Sequence, residues 1–208
     1  MFTLLPWVSL GVLELRSGKL WLCDARMGPN EQAQIIDFAP GDYEVSTQNV
    51  VFQDDDERTA RFRVVPVGSS GEVGESFCTT WADAASQGVC DDVEFWPNAK
   101  RVWGPAHNDI LLAEGNHVLT LPGGQKLFIC SSGDGDGVFN VLEITDNGKR
   151  IGLQVEFYAE GEVKARQTAT EPYVAKPNWG ERIVIGVVIL LATYVVASII
   201  GRFFGYTF

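Results

Sequence analysis

From Ile183 to Gly201 the chain reads IVIGVVILLATYVVASIIG, with no charge and no proline, between Arg182 and Arg202. As a helix this run is roughly 28 Å long at about 1.5 Å per residue, close to the roughly 30 Å hydrocarbon core of a bilayer. Lipid tolerates no unpaired backbone N–H or C=O, and a helix pairs them internally. The polar residues within it, Thr193, Tyr194 and Ser198, are mild, and Thr and Ser hydroxyls can bond back to the helix's own carbonyls. A core helix of a soluble protein rarely runs so far without a polar face. The run is therefore expected to be a transmembrane helix, with Trp179 and Tyr206 as interfacial anchors.

Lys164, Arg166, Lys176 and Arg182 precede the run, and only Arg202 follows it. The more basic flank marks the cytoplasmic side, so the N-terminal domain is expected in the cytoplasm. The layout is that of a single-pass, tail-anchored membrane protein. Residues 1–170 form an acidic domain, 171–182 a linker with Pro172 and Pro177, 183–201 the anchor and 202–208 a short tail. Ala197 and Gly201 have the small-xxx-small spacing that lets two helices approach closely. That spacing is common, so the oligomeric state stays open.

Residues 1–181 carry all 27 acids and 14 of the 16 bases, a net charge of −13. Such a domain is not expected to bind nucleic acid or an anionic lipid surface by itself. It suits a basic protein partner, and it also serves plain solubility.

The four cysteines, Cys23, Cys78, Cys90 and Cys130, form no CxxC pair, and His107 and His117 are the only histidines. A structural zinc site is not expected. Met1 to Leu13 lacks the basic start and small-residue cleavage pattern of a signal peptide. Free thiols are expected, with Cys23 and Cys130 buried in the apolar runs LWLC and LFIC.

Before residue 180 short strand patterns dominate. Val8–Leu15 and Leu20–Cys23 read as a hairpin about Ser17-Gly18, and Gln32–Phe38 and Tyr43–Phe52 as strands about Pro40-Gly41. Arg58–Val67 alternates, with Ala60, Phe62 and Val64 on one face and Arg61 and Arg63 on the other. Gly68–Gly74 reads as a loop and Thr79–Ser86 as a helical turn. His117–Leu121 with Gln125–Cys130 reads as a hairpin. So does Val138–Thr145 with Ile151–Tyr158, about Asn147-Gly148, the strongest short hairpin signal. The expected fold is mainly β, an antiparallel sandwich or partly open barrel of hairpins, followed by the C-terminal transmembrane helix.

Ser131-Ser132-Gly133-Asp134-Gly135-Asp136-Gly137 is the most unusual stretch. Read as a calcium loop, it offers Ser132, Asp134 and Asp136 at alternate positions and Glu143 at the twelfth, where a bidentate acid belongs. Against this, Ser132 replaces the usual Asp, and the flanks are strand-like rather than helical. No other cofactor is expected. The chain has no GxSxG elbow and no GxxxxGK[ST] loop. Asp24, Asp83, Asp91 and Asp136 are scattered acids that would serve acid–base chemistry only if the fold brought two of them together.

Several motifs in order are similar to a bacterial family of uncharacterised domains, domain-of-unknown-function family 4241 (DUF4241). They are Leu10-Gly11, Ser17-Gly18-Lys19, Cys23-Asp24, Pro40-Gly41-Asp42-Tyr43-Glu44-Val45, Ala82-Asp83-Ala84 with Gly88 and Asp91, and Ser132 to Gly137, followed by Gly148 and Val155-Glu156-Phe157. Ala25 stands where the pattern has Pro, Ala85 where it has Gly, Asp134 where it has an aromatic, and Phe139 where it has Tyr. The resemblance implies a mostly β domain and carries over no catalytic residue.

The expected function is a membrane-anchored protein-interaction module, with an immunity-type role as its specific version. The alternative from a different class is a cation-dependent enzyme or calcium-binding domain built on the Asp134–Asp136 turn, with Asp24 or Asp83. A structural role, with the anchor organising an assembly, is the third.

Overall fold

The structure is a computed structural model, and it describes residues 3–27, 32–52, 55–91, 108–110, 115–121 and 124–158. The chain divides into two compact units, residues 1–169 and 170–208, and every described residue belongs to the first. Residues 183–201, with the flanking Arg182 and Arg202, lie outside the described residues. Among the described residues no helix is long and apolar enough to cross a membrane.

The described unit is mainly β. Its strands are β1 (Thr3–Leu15), β2 (Lys19–Cys23), β3 (Gln34–Asp37), β4 (Gly41–Val51), β5 (Glu57–Pro66), β6 (Glu72–Ala82), β7 (Ser86–Asp91), β8 (His117–Thr120), β9 (Lys126–Ser131), β10 (Gly137–Asp146) and β11 (Lys149–Glu156). They form a six-stranded sheet in the order β1-β4-β5-β11-β10-β6 and a five-stranded sheet in the order β3-β2-β7-β9-β8. All the pairings are antiparallel. The mainly β, antiparallel character expected of the domain is thus present as two sheets.

Where local signals were strong, the strands follow them. Asn147 (φ 51°) and Gly148 (φ 74°) both turn left-handed between β10 and β11, the geometry that a two-residue hairpin turn requires. In β5, Ala60, Phe62 and Val64 are buried. Arg61 and Arg63 point the other way; Arg61 pairs with Glu156 at 3.4 Å, and the Arg63 guanidinium lies 4.9 Å from the Trp7 ring centre.

One cluster of buried side chains draws on both sheets, including Leu13, Leu20, Leu22, Val45, Phe62, Phe128, Cys130 and Leu153. A second holds Trp21, Cys23, Cys90, Leu127 and Ile129 with Ile110 and Leu121. Successive residues of β2 and β9 thus enter different clusters, so both faces of the five-stranded sheet are covered. That is why LWLC and LFIC are continuous apolar runs rather than alternating ones. Each such side chain contributes roughly 1.5–3 kcal/mol by leaving water.

Two expectations are corrected. β1 and β2 do not pair as a hairpin: β1 pairs with β4, while β2 pairs with β3 and β7. The residues between them carry the chain from one sheet to the other, and Asp91 holds this crossing by accepting the backbone N–H groups of Arg16 (3.0 Å) and Ser17 (3.1 Å). The stretch read as a loop and then a helical turn contains β6, an edge strand paired along β10. Its Phe, Thr, Thr and Trp residues suit a pleated surface, and the ladder to β10 outweighs the Gly-rich start.

Candidate binding site

Two loops meet around one buried carboxylate. Asp24 follows β2 and is 2% exposed. Its Oδ1 accepts the N–H groups of Arg26 (2.9 Å) and Met27 (3.2 Å) and the Ser86 hydroxyl (3.0 Å), and its Oδ2 accepts the N–H groups of Asp83 (2.6 Å) and Ala84 (2.7 Å). A carboxylate removed from water needs such partners to replace its lost hydration. Both oxygens are occupied by the protein's own donors, so Asp24 clamps the segment after β2 to the turn between β6 and β7. It holds structure here rather than a substrate.

That turn is tied in the same way to the glycine-rich loop between β9 and β10. The Ala85 N–H donates to Asp136 Oδ1 at 3.1 Å, and the Ala85 carbonyl accepts the Ser132 N–H at 3.1 Å. Ala85 sits at φ 53°, a left-handed position that suits glycine and strains alanine. Three of the stretches singled out from the sequence therefore come together: Cys23-Asp24, Asp83-Ala84 and Ser132 to Gly137.

The glycine-rich loop is built from within. The fully buried Ser132 donates its hydroxyl to the Gly135 carbonyl at 2.6 Å. Gly133 has φ 67°, and a Cβ there would lie 2.9 Å from the Tyr158 ring and 3.2 Å from the Thr59 carbonyl. The loop thus lies directly against the aromatic pair that follows β11. Phe157 meets Phe139 edge-on at 5.0 Å, and Tyr158 meets Phe52 likewise at 5.6 Å. Between loop and rings is a cleft of about 350 Å³, lined by Asp134, Gly135, Asp136, Phe139, Phe157 and Tyr158, with Ser132 beneath. Arg58 stands near it, ion-paired to Asp56 at 2.7 Å and in the field of Asp134. Aromatic faces beside carboxylates suit a cation.

The four residues read as a calcium loop are not gathered as one ligand set. Ser132, Asp134 and Asp136 share the loop, but Glu143 lies within β10 against Gly74. Six strand residues beyond Gly137 carry it roughly 20 Å away at about 3.4 Å each. The Ser132 hydroxyl is already used inside the loop, and one Asp136 oxygen by the Ala85 N–H of the β6–β7 turn. Among the described residues no group of three or more His, Cys, Asp or Glu is placed to hold a metal ion. The aromatic wall is what sequence reasoning missed. Its signal was the Phe-Tyr pair closing the β11 stretch, which alternation alone assigned to the strand.

The cysteines are free, with Cys23, Cys90 and Cys130 buried and Cys78 partly so. Burial pushes the Cys23 and Cys130 thiols well up, and Cys78 less far. Since the thiolate is the reactive form, a thiol reagent is expected to label Cys78 slowly in the native protein and all four cysteines after unfolding. Mass spectrometry of the two labelled samples reads this directly. Rapid native labelling at Cys23 or Cys130 would contradict it. His117 places Nδ1 3.1 Å from the Gly115 carbonyl, and His107 lies outside the described residues.

A second cleft, of about 300 Å³, lies beside the crossing between the sheets, lined by Leu13, Glu14, Arg16, Asp91, Gln125 and Lys126. Its charges are engaged with one another. Arg16 pairs with Glu14 at 2.6 Å and holds that carboxyl below its usual range, while Asp91 caps the crossing. The chain matches no family model, no curated protein and no solved structure.

Proposed function

We propose that the chain is a membrane-tethered, cytoplasmic interaction module that receives a cationic side chain of a basic protein partner in the aromatic and acidic cleft. The observation that carries this reading is the cleft itself, where Phe139, Phe157 and Tyr158 stand beside Asp134 and Asp136. A desolvated cation over an aromatic ring gains about 2 kcal/mol, and a carboxylate adds direction and charge. The net −13 of residues 1–181 raises the encounter rate with a basic partner and makes it salt-dependent. The apolar run from Ile183 to Gly201 supplies the tether. An immunity-type role, masking a basic toxin at the membrane, is the specific version of this reading.

The test uses the full chain, extracted with detergent from the membrane fraction and titrated with a lysine-rich peptide at low and high salt. Binding should weaken by about tenfold or more in Asp134→Lys and by a smaller factor in Phe139→Ala, with unchanged melting temperatures. Equal affinity in all three proteins would remove the cleft from the reading. Recovery of the chain in the soluble fraction would remove the tether. Tight calcium binding, lost in Asp134→Lys, would instead favour the cation-binding alternative.

A further inference from the structure

The cleft beside the glycine-rich loop has one wall of ring carbon and one of loop. Phe157 and Tyr158 are 6% and 7% exposed, and each is met edge-on by a second ring, Phe139 and Phe52 respectively. Glycines let the loop lie against these rings: a Cβ at Gly133 would stand 2.9 Å from the Tyr158 ring, and one at Gly137 3.1 Å from the Phe139 ring. The aromatic wall is therefore packed in place before a ligand arrives, and a wall of that kind loses little freedom on binding. The loop side is largely committed to itself. The Ser132 hydroxyl and the Gly135 carbonyl satisfy each other at 2.6 Å, and Asp136 Oδ1 accepts the Ala85 N–H at 3.1 Å. Negative charge stays at the rim, where Asp134 and Asp136 are exposed.

We propose, resting on the cleft's role as receptor for a basic partner, that the cation it selects is an N-methylated lysine, the trimethylated form above all, rather than a bare one. A bare ammonium has three N–H donors, and each one taken from water needs an acceptor in return. The Phe139 and Phe157 rings that line the cleft offer none. A trimethylated lysine keeps its positive charge and has no N–H left to satisfy. Its methyl groups gain apolar contact and cation–π attraction together, as quaternary ammonium groups do in aromatic cages. The rim carboxylates act on its charge through space, with no hydrogen bond required. The cleft's size agrees: about 350 Å³ falls within the roughly 300–1,000 Å³ of small-ligand sites, more than a bare ammonium fills.

The experiment titrates the full-length chain, extracted in an uncharged detergent, with one lysine-rich peptide in unmodified and trimethylated forms. Both forms carry the same charge, so the net −13 of residues 1–181 draws them equally and their difference reads the rings. The wild type should bind the trimethylated form about tenfold more tightly, and tetramethylammonium ion should displace it. Phe139→Leu should weaken the trimethylated form more than the unmodified one and so erase the preference. Asp134→Asn should weaken both by a similar factor and leave the preference intact. The wild-type preference and the displacement need no variant, so they stand whether or not Phe139→Leu folds. Unmodified peptide bound as tightly as the trimethylated form, with both weakened in Asp134→Asn, overturns the selectivity and leaves the cleft a receptor for bare lysine. A preference that survives in folded Phe139→Leu overturns it too, by placing it away from the rings. Binding of neither peptide, or binding indifferent to Asp134, removes the receptor role and the selectivity with it. Tetramethylammonium bound while neither peptide binds would make the cleft a site for a free quaternary ion and not for a partner's lysine.

Discussion

Asp24→Ala is expected to destabilise the domain by about 3–5 kcal/mol, the range for removing one partner from a buried, hydrogen-bonded charge site. The substitution leaves the N–H groups of Arg26, Met27, Asp83 and Ala84 without their shared acceptor, along with the Ser86 hydroxyl. A buried donor left unsatisfied costs about 1–3 kcal/mol, so even partial access of water leaves a large loss. For a domain of this size that corresponds to a fall of roughly 10 °C in melting temperature, to be read by near-ultraviolet circular dichroism. Asp24→Asn should lose less, because one oxygen remains to accept. A melting temperature within a degree or two of wild type in both variants would show that Asp24 is not the clamp described, and would return it to the candidates for chemistry.

Gly152→Ala should cost about 3 kcal/mol for a different reason. Gly152 is not among the glycines with positive φ, so its backbone is open to any residue. A Cβ there, however, would lie 2.3 Å from the Val64 carbonyl oxygen and 3.0 Å from a Val65 methyl. Strand β11 runs between β5 and β10, and neither neighbour can yield without breaking its own ladder. Overpacking of this kind typically costs 1–3 kcal/mol, at times more. Gly148→Ala is the control. It has φ 74° and nothing within 4 Å of its Cβ, so only the backbone term of about 1 kcal/mol applies. Chemical denaturation should rank the two clearly, and equal losses would mean that β11 sits more loosely than described.

Legibility in the sequence followed the range of the interaction. The Asn147-Gly148 turn and the alternation of Ala60, Phe62 and Val64 are local signals, and the strands lie where they point. The buried runs about Cys23 and Cys130 were equally clear. The pairing of β1 was not. Ser17-Gly18 marks a reversal, but the partner of β1 is chosen by β4, some thirty residues on. Asp24 could be noticed but not interpreted, since its donors at Asp83, Ala84 and Ser86 lie about sixty residues away. The spacing from Ser132 to Glu143 fitted a calcium loop only as a count of residues. A strand spends that count on distance, where a helical loop would have folded it back.

The position of β11 has a consequence for how the domain is made. It is the last strand described, yet it lies third from one edge and fourth from the other, with β5 and β10 as its neighbours. Its partner residues in β5 precede it by about ninety positions, as Phe62 does Val155. Until this strand has been synthesised, β5 and β10 each expose a bare ladder, and the sheet exists as two unjoined halves. Closure through such distant contacts is slow, in the range of milliseconds to seconds typical of β folds. The nascent chain therefore carries its stickiest surfaces until β11 has emerged, and a single late segment turns two fragments into one sheet.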